Sequence, residues 1–321
     1  MDASDESAEL EAYLYNRHER VLERPGRVGR DLTIRTDDGV ALAATVFDPS
    51  PQKRNGRALV IAGGTGVKRR FYAPFATWLS TEGFTVVTFD YRGIGGSAAS
   101  AAESGGADPA TMHAWGEQDL ASVLAWTADV LGDGTVGLVG HSVGGQLVGL
   151  LPESAHARIS SIVTIAAQSG DYRLWPMPMR LAMAALWWGV VPSVTHAMGY
   201  LPGALGIGED LPAGVALEWA RWCRTPGYLV GDDGGDAGAR RRAGFARVRA
   251  PLLSLSFHDD GYAPFAAVDA LLSLYVNATI EKRRLGRSEG RFGHFGFFRS
   301  RNRALWRDVG AHFLPAAKAN G

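Results

Sequence analysis

The chain has 321 residues, 46% hydrophobic and 21% charged, with 33 basic side chains balanced by 33 acidic ones. That is the composition of an ordinary globular protein long enough to bury a large core, and the balance gives no sign of the concentrated basic surface of a nucleic-acid binder. A single cysteine, Cys223, excludes an internal disulfide and a multi-thiolate metal site.

Residues 1–29 read as an N-terminal arm, a polar helix followed by a break at Pro25 and Gly26. The arm is acidic and has no apolar centre, so it does not read as a secretory signal. The longest apolar run, about Leu181 to Pro192, is shorter than the roughly 20 residues of a membrane span. The expectation is a soluble, cytoplasmic protein with no membrane span.

Asp31 to Thr36 and Val40 to Asp48 read as strands joined by the turn residues Asp37, Asp38 and Gly39, a hairpin. A strand–helix rhythm follows. Arg57 to Ala62, Phe84 to Phe89, Thr135 to Val139 and Ile159 to Ile165 are apolar strands. Phe71 to Glu82 and Met112 to Leu131 carry helical spacing, and the second is predicted to be amphipathic. From Tyr172 to Val248 the rhythm breaks into a stretch rich in Trp, Met, Pro and Gly, with no clear strand. It resumes with a strand at Ala250 to Phe257, a helix at Phe265 to Leu274, a strand at Asn277 to Leu285 and a terminal helix at Asn302 to Phe313. Apolar strands alternating with helices predict a mostly parallel sheet covered on both faces. The organisation is therefore a core of residues 30–171 and 249–321 with a helical cap, 172–248, inserted into it. Ligands of such sheets bind beyond the carboxyl ends of the strands.

Three loops at such ends carry chemistry. Gly140-His141-Ser142-Val143-Gly144-Gly145 follows a strand and precedes a helix, the setting of a nucleophile elbow. Ser142 is the candidate nucleophile. The glycines on either side leave room for the sharp turn, and the following helix aims unpaired N–H groups at the site. Acyl transfer needs two N–H donors at the developing oxyanion. Val143 supplies one; Gly64, and after it Thr65, are the candidates for the second, in the Gly63-Gly64-Thr65-Gly66 loop. A serine hydroxyl also needs a base and an orienting acid. His294, between glycines and aromatics in Gly293-His294-Phe295-Gly296, is the candidate base. The acid is Asp260, with Asp259 as alternative, after the strand ending at Phe257.

With these motifs in place the chain resembles the α/β-hydrolase superfamily, and is most similar to a bacterial group of uncharacterised predicted serine hydrolases. The resemblance is carried by Ala62 to Val67, Arg70-Phe71-Tyr72, Asp90 to Ser97, Gly140 to Gly145, Gly208 to Pro212, Glu218 to Cys223, Asp259-Asp260 and Gly293 to Arg299. It implies an α/β-hydrolase fold, with an eight-stranded sheet and an inserted cap, and a triad of Ser142, Asp260 and His294. It implies no substrate. Ala62 stands where many relatives have histidine. Asp90 and Arg92 match a segment that braces a turn.

The expected reaction is hydrolysis of a carboxylic ester or thioester through an acyl-enzyme on Ser142, without cofactor or metal. Acyl transfer and amide or peptide hydrolysis use the same triad and stay open. So does a non-catalytic binding protein on this scaffold. The expected partner is a small, partly apolar acyl substrate, with a homodimer as the compatible assembly. Trp175, Trp187 and Trp188 of the cap are candidates for lining its pocket. Glu209, Asp210 and Glu218 could meet a substrate amine or be structural.

Overall fold

The computed structural model describes residues 29–98, 110–206, 208–231 and 236–314. The predicted N-terminal arm, apart from Gly29, lies outside them.

Ten strands are numbered along the chain: β1 (Arg30–Arg35), β2 (Ala41–Phe47), β3 (Ala58–Ala62), β4 (Thr85–Phe89), β5 (Val136–His141), β6 (Ile159–Ile165), β7 (Tyr200–Leu201), β8 (Leu211–Pro212), β9 (Leu252–Phe257) and β10 (Ile280–Leu285). Eight form one sheet in the order β1-β2-β4-β3-β5-β6-β9-β10. The hairpin β1–β2 is antiparallel, and β2 meets β4 antiparallel. Every other pair in the sheet is parallel. Strands β3, β4, β5 and β9 are buried along their whole length, which is why they read as continuous apolar runs rather than alternating ones. The edge strand β10 instead exposes charged side chains, among them Glu281 and Lys282, which keep the edge from pairing with another chain.

The chain leaves β3 in one direction to build β4 and later in the other to build β5 and β6. Such a reversal opens a crevice at the strand ends. In the register, Ala62 lies opposite Gly140, so the loops that leave β3 and β5 start side by side.

The helix after Ala110 departs from its expected amphipathic form. Met112–Ala114, a wide π-type stretch at Trp115–Leu120 and Ala121–Val130 follow one another and are buried on nearly every side. The polar position Asp119 points inward because it has a buried partner: it accepts a hydrogen bond from Arg92 Nε at 2.7 Å, and Arg92 also pairs with Asp38.

The described residues between 172 and 248 add no strand to the main sheet. Their two short strands pair only with each other, too short to register in the sequence. Helical residues run from Met179 to Met198 with π-type turns at Leu186–Val190. Pro192 has no N–H to return to the carbonyl four residues earlier, which favours the widened turns. At 20 residues, with a mean hydropathy of 1.3 over its most apolar window, this helix is long and apolar enough to cross a membrane by length and composition. The uninterrupted apolar run in the sequence is shorter because the helix continues through Arg180 and His196.

Candidate active site

Strand β5 runs into Ser142, whose backbone stands at φ 52° and ψ −118°. A non-glycine residue there is strained by about 1–3 kcal/mol, and the surroundings fix it. The Ser142 N–H donates to the Ile165 carbonyl at 2.9 Å, and its own carbonyl accepts from Gly145 at 3.1 Å. A Cβ on Gly144 would come within 2.1 Å of the Ala62 carbonyl oxygen, and one on Gly140 within 2.6 Å of Gly145. Only glycine lets β3 and the start of the next helix approach so closely. Val143 begins that helix, and its N–H has no acceptor inside it.

His294 and Asp260 are brought together. The Asp260 carboxylate receives His294 Nδ1 at 2.8 Å, and both side chains are almost fully buried. The same carboxylate accepts the N–H groups of Tyr262 at 2.8 Å and Ala263 at 2.9 Å. These bonds fix its orientation before the histidine arrives. Asp259, the alternative acid, faces elsewhere: it accepts the N–H groups of Phe292 at 2.9 Å and Gly293 at 3.1 Å. It thus holds the backbone of the loop that carries His294. No hydrogen bond joins Ser142 Oγ to His294, a contact that in such sites often tightens only around a substrate.

The residue before Ser142 joins the three loops. His141 is fully buried, and burial, with the neighbouring His294, pushes its pKa well below the ordinary value, so the ring is neutral. Its Nε2 lies 3.1 Å from the His294 carbonyl oxygen. A carbonyl can only accept, so Nε2 carries the hydrogen and Nδ1 is an acceptor. The Tyr72 hydroxyl, 2.8 Å from Nδ1, is then the donor. Burial drives the Tyr72 pKa upward, which keeps the phenol protonated for that role. The phenol oxygen in turn accepts the Gly64 N–H at 2.7 Å. One directed chain therefore runs from Gly64 through Tyr72 and His141 to the backbone of His294. Tyr72 belongs to the Arg70-Phe71-Tyr72 segment, but nothing in its spacing announces this partner.

The same chain of bonds distinguishes the two candidate oxyanion donors, Gly64 and Thr65. The Gly64 N–H is already committed to Tyr72, whereas the next residue, Thr65, is only partly buried and its N–H is bonded to none of the described residues.

The cap tryptophans divide. Trp175 is buried, and its indole N–H donates to the Gly261 carbonyl at 2.9 Å, beside Asp260. Trp187 packs edge-on against Trp219 inside the cap, with centroids 4.7 Å apart. Trp188 is 60% exposed, with Arg224 over its ring. It is turned toward solvent, about a quarter turn round the helix from Trp187.

The cap carboxylates are internal ties. Glu209 pairs with Lys68 at 2.8 Å, and its N–H donates to the Gly66 carbonyl, fastening the cap to the loop after β3. Asp210 accepts the Gly203 N–H at 2.8 Å. Glu218 accepts the His113 N–H at 3.0 Å and meets its ring at 3.2 Å. Deeper in, the Tyr228 hydroxyl donates to Gln146 at 2.7 Å, joining the cap to the helix behind the elbow. Asp90 accepts the N–H groups of Arg69 and Gly96, bracing the turn after β4. No group of three or more potential metal ligands occurs among the described residues.

Comparison with known proteins matches residues 59–193 to the family described as the alpha/beta hydrolase fold. An uncharacterised protein of Mycobacterium tuberculosis is 30% identical over 139 residues, 42% of this chain and 49% of that protein, so the chain spans about half the length of this curated relative. The carbamate hydrolase candidate RutD of Variovorax paradoxus is 27% identical over 246 residues, 70% of this chain and 82% of that one. Among solved structures, an esterase of Pyrococcus furiosus aligns with a TM-score of 0.54 at 14% identity, over 88% of both chains. An esterase of Exiguobacterium antarcticum aligns with a TM-score of 0.56 at 16% identity, over 88% of this chain and 98% of that one.

Proposed function

We propose, on the premise that this chain has the α/β-hydrolase fold, that it is a serine hydrolase cleaving a carboxylic ester or thioester through an acyl-enzyme on Ser142. The observation that carries the reading is the buried pair of His294 and Asp260, 2.8 Å apart, on loops beside the strained Ser142 turn. In this reading Ser142 Oγ attacks the substrate carbonyl carbon while its proton passes to His294 Nε2. Asp260 holds the opposite ring nitrogen and stabilises the imidazolium. The oxyanion takes hydrogen bonds from the N–H groups of Val143 and Thr65. The tetrahedral adduct collapses as His294 protonates the departing alcohol or thiol. Water then gives its proton to His294 and attacks the acyl-enzyme, releasing the acid and restoring Ser142.

The likeness to the RutD protein supports a second reading, in which the same attack falls on a carbamate or amide carbonyl and an amine departs. The amine-recognising variant gains nothing from Glu209, Asp210 and Glu218, each of which already has a partner in the chain. Acyl transfer differs only in the acceptor of the second step, and product analysis with added alcohols or amines separates it from hydrolysis.

The test is a panel of short p-nitrophenyl esters, thioesters and carbamates with wild type and Ser142→Ala. Turnover is expected to fall on the order of 10⁴-fold or more in the variant, and a fluorophosphonate should label Ser142 in the folded wild type. Unchanged turnover in Ser142→Ala would sink the nucleophile assignment. A folded wild type that neither turns over nor labels would favour a binding protein on this scaffold.

A further inference from the structure

The cap helix Met179–Met198 has two unlike sides. Trp187, Val191 and Thr195 recur every fourth residue and are buried. Leu181, Ala185 and Trp188 recur at three- and four-residue spacing along another side and are exposed. With Met177 and Met179 at its start, this side carries large apolar groups: Met177, Leu181 and Trp188 are each 60% exposed. Only 17% of the helix's most apolar window is buried. Scattered exposed apolar residues are ordinary, but a contiguous apolar strip of this kind marks an interaction site.

Two arginines adjoin the strip. The helix contains no Asp or Glu. Arg180 lies at its start, and its Nε donates to the Trp175 carbonyl. Arg224 stacks over Trp188, 4.9 Å from the ring centroid, and its Nε donates to the Ala220 carbonyl. Neither guanidinium forms an ion pair with a carboxylate among the described residues.

We propose that this face docks the protein onto an anionic phospholipid surface, with the helix lying in the headgroup plane and not spanning the bilayer. An apolar strip rimmed by arginine, with tryptophan at the boundary, suits the interface between headgroups and acyl chains. The phosphates supply the negative charge that the helix lacks. A second copy of the chain would bring no acidic group on this helix to meet Arg180 and Arg224. Spanning is excluded because Trp187, Val191 and Thr195 are committed to the cap interior. Trp175, just before the helix, bonds to the loop of Asp260, so a protein seated this way holds its candidate active site close to the lipid. The docking does not depend on the catalytic reading.

The test is co-sedimentation of the full chain with phosphatidylcholine vesicles, with and without phosphatidylglycerol. Binding should require phosphatidylglycerol and weaken as salt rises. Leu181→Glu with Met177→Glu should lower the vesicle partition coefficient by about tenfold or more. Arg180→Gln and Arg224→Gln should each lower it about fivefold on the anionic vesicles. An unchanged thermal midpoint in these surface variants establishes that they are folded. Failure of the wild type to bind either vesicle would overturn the proposal, as would binding that survives the double glutamate variant. A dimer in light scattering that Leu181→Glu dissolves, without vesicle binding, would also overturn it and assign the face to a second copy.

Discussion

Two adjacent aspartates at the end of β9 have different tasks, and the difference predicts different losses. Asp260 touches the His294 ring, whereas Asp259 accepts two backbone N–H groups of the loop that carries that ring and lies beside His258 instead. Asp260→Asn should therefore lower kcat by about 10⁴-fold with little change in fold, as expected when the orienting acid of a triad is neutralised. Asp259→Asn should mainly destabilise, by about 1–3 kcal/mol, because a charged acceptor of two N–H groups is weakened. Steady-state kinetics and urea unfolding of both variants check the distinction; the reverse pattern would exchange the two roles. Tyr72 offers a second residue-scale test. Tyr72→Phe removes the hydroxyl between Gly64 and His141 and leaves a buried donor and a buried acceptor without partners. The expected cost is about 1–3 kcal/mol of stability, with kcat falling more than KM rises because the loop of Thr65 and the elbow lose their tie. Equal stability in Phe and Tyr forms would remove Tyr72 from this role.

The elements place the site through one register, Ala62 opposite Gly140. The elbow then depends on the closeness of its glycines to backbone. Gly144→Ala would drive a methyl group into the Ala62 carbonyl, a backbone contact that no rotamer relieves. Destabilisation of about 3 kcal/mol is expected, together with loss of fluorophosphonate labelling at Ser142. A labelled, wild-type-stable variant would mean that the turn relaxes more freely than its packing implies. Strands were legible in the sequence because burial on both faces gives unbroken apolar runs. The helix from Met112 was misread as amphipathic for the converse reason. Asp119 counts as a surface residue in any pattern, and only its buried pairing with Arg92 reveals that it faces inward.

At the scale of the molecule, cap and core are fastened at separate points, and one of them titrates. Hydrogen bonds to Glu117 and to the cap residue Glu218 raise the His113 pKa to about 9, against partial desolvation. The folded value lies above the ordinary 6.5, so this contribution is complete below about pH 6.5 and is lost as pH rises through about 9. His113→Gln should be less stable than wild type by a constant margin below pH 6.5, and the margin should shrink toward zero above pH 9. Thermal midpoints measured across that range check it, and a margin that does not vary with pH would show that charge plays no part in this tie.

The sequence by itself determined the strand–helix order, the place of the cap between β6 and β9, and the residue types at each of the three site loops. Local pattern suffices for these, because apolar runs, turn residues and glycine spacing are properties of short segments. Only the tertiary structure decided which of two adjacent aspartates meets His294, that the Gly64 N–H is committed to Tyr72, and that Trp187 faces inward while Trp188 faces out. Two of those outcomes depend on a partner far away in the chain, His294 for Asp260 and Trp219 for Trp187, and the third on Tyr72, whose hydroxyl is in turn held by His141, 69 residues on. No local pattern encodes a direction that packing sets.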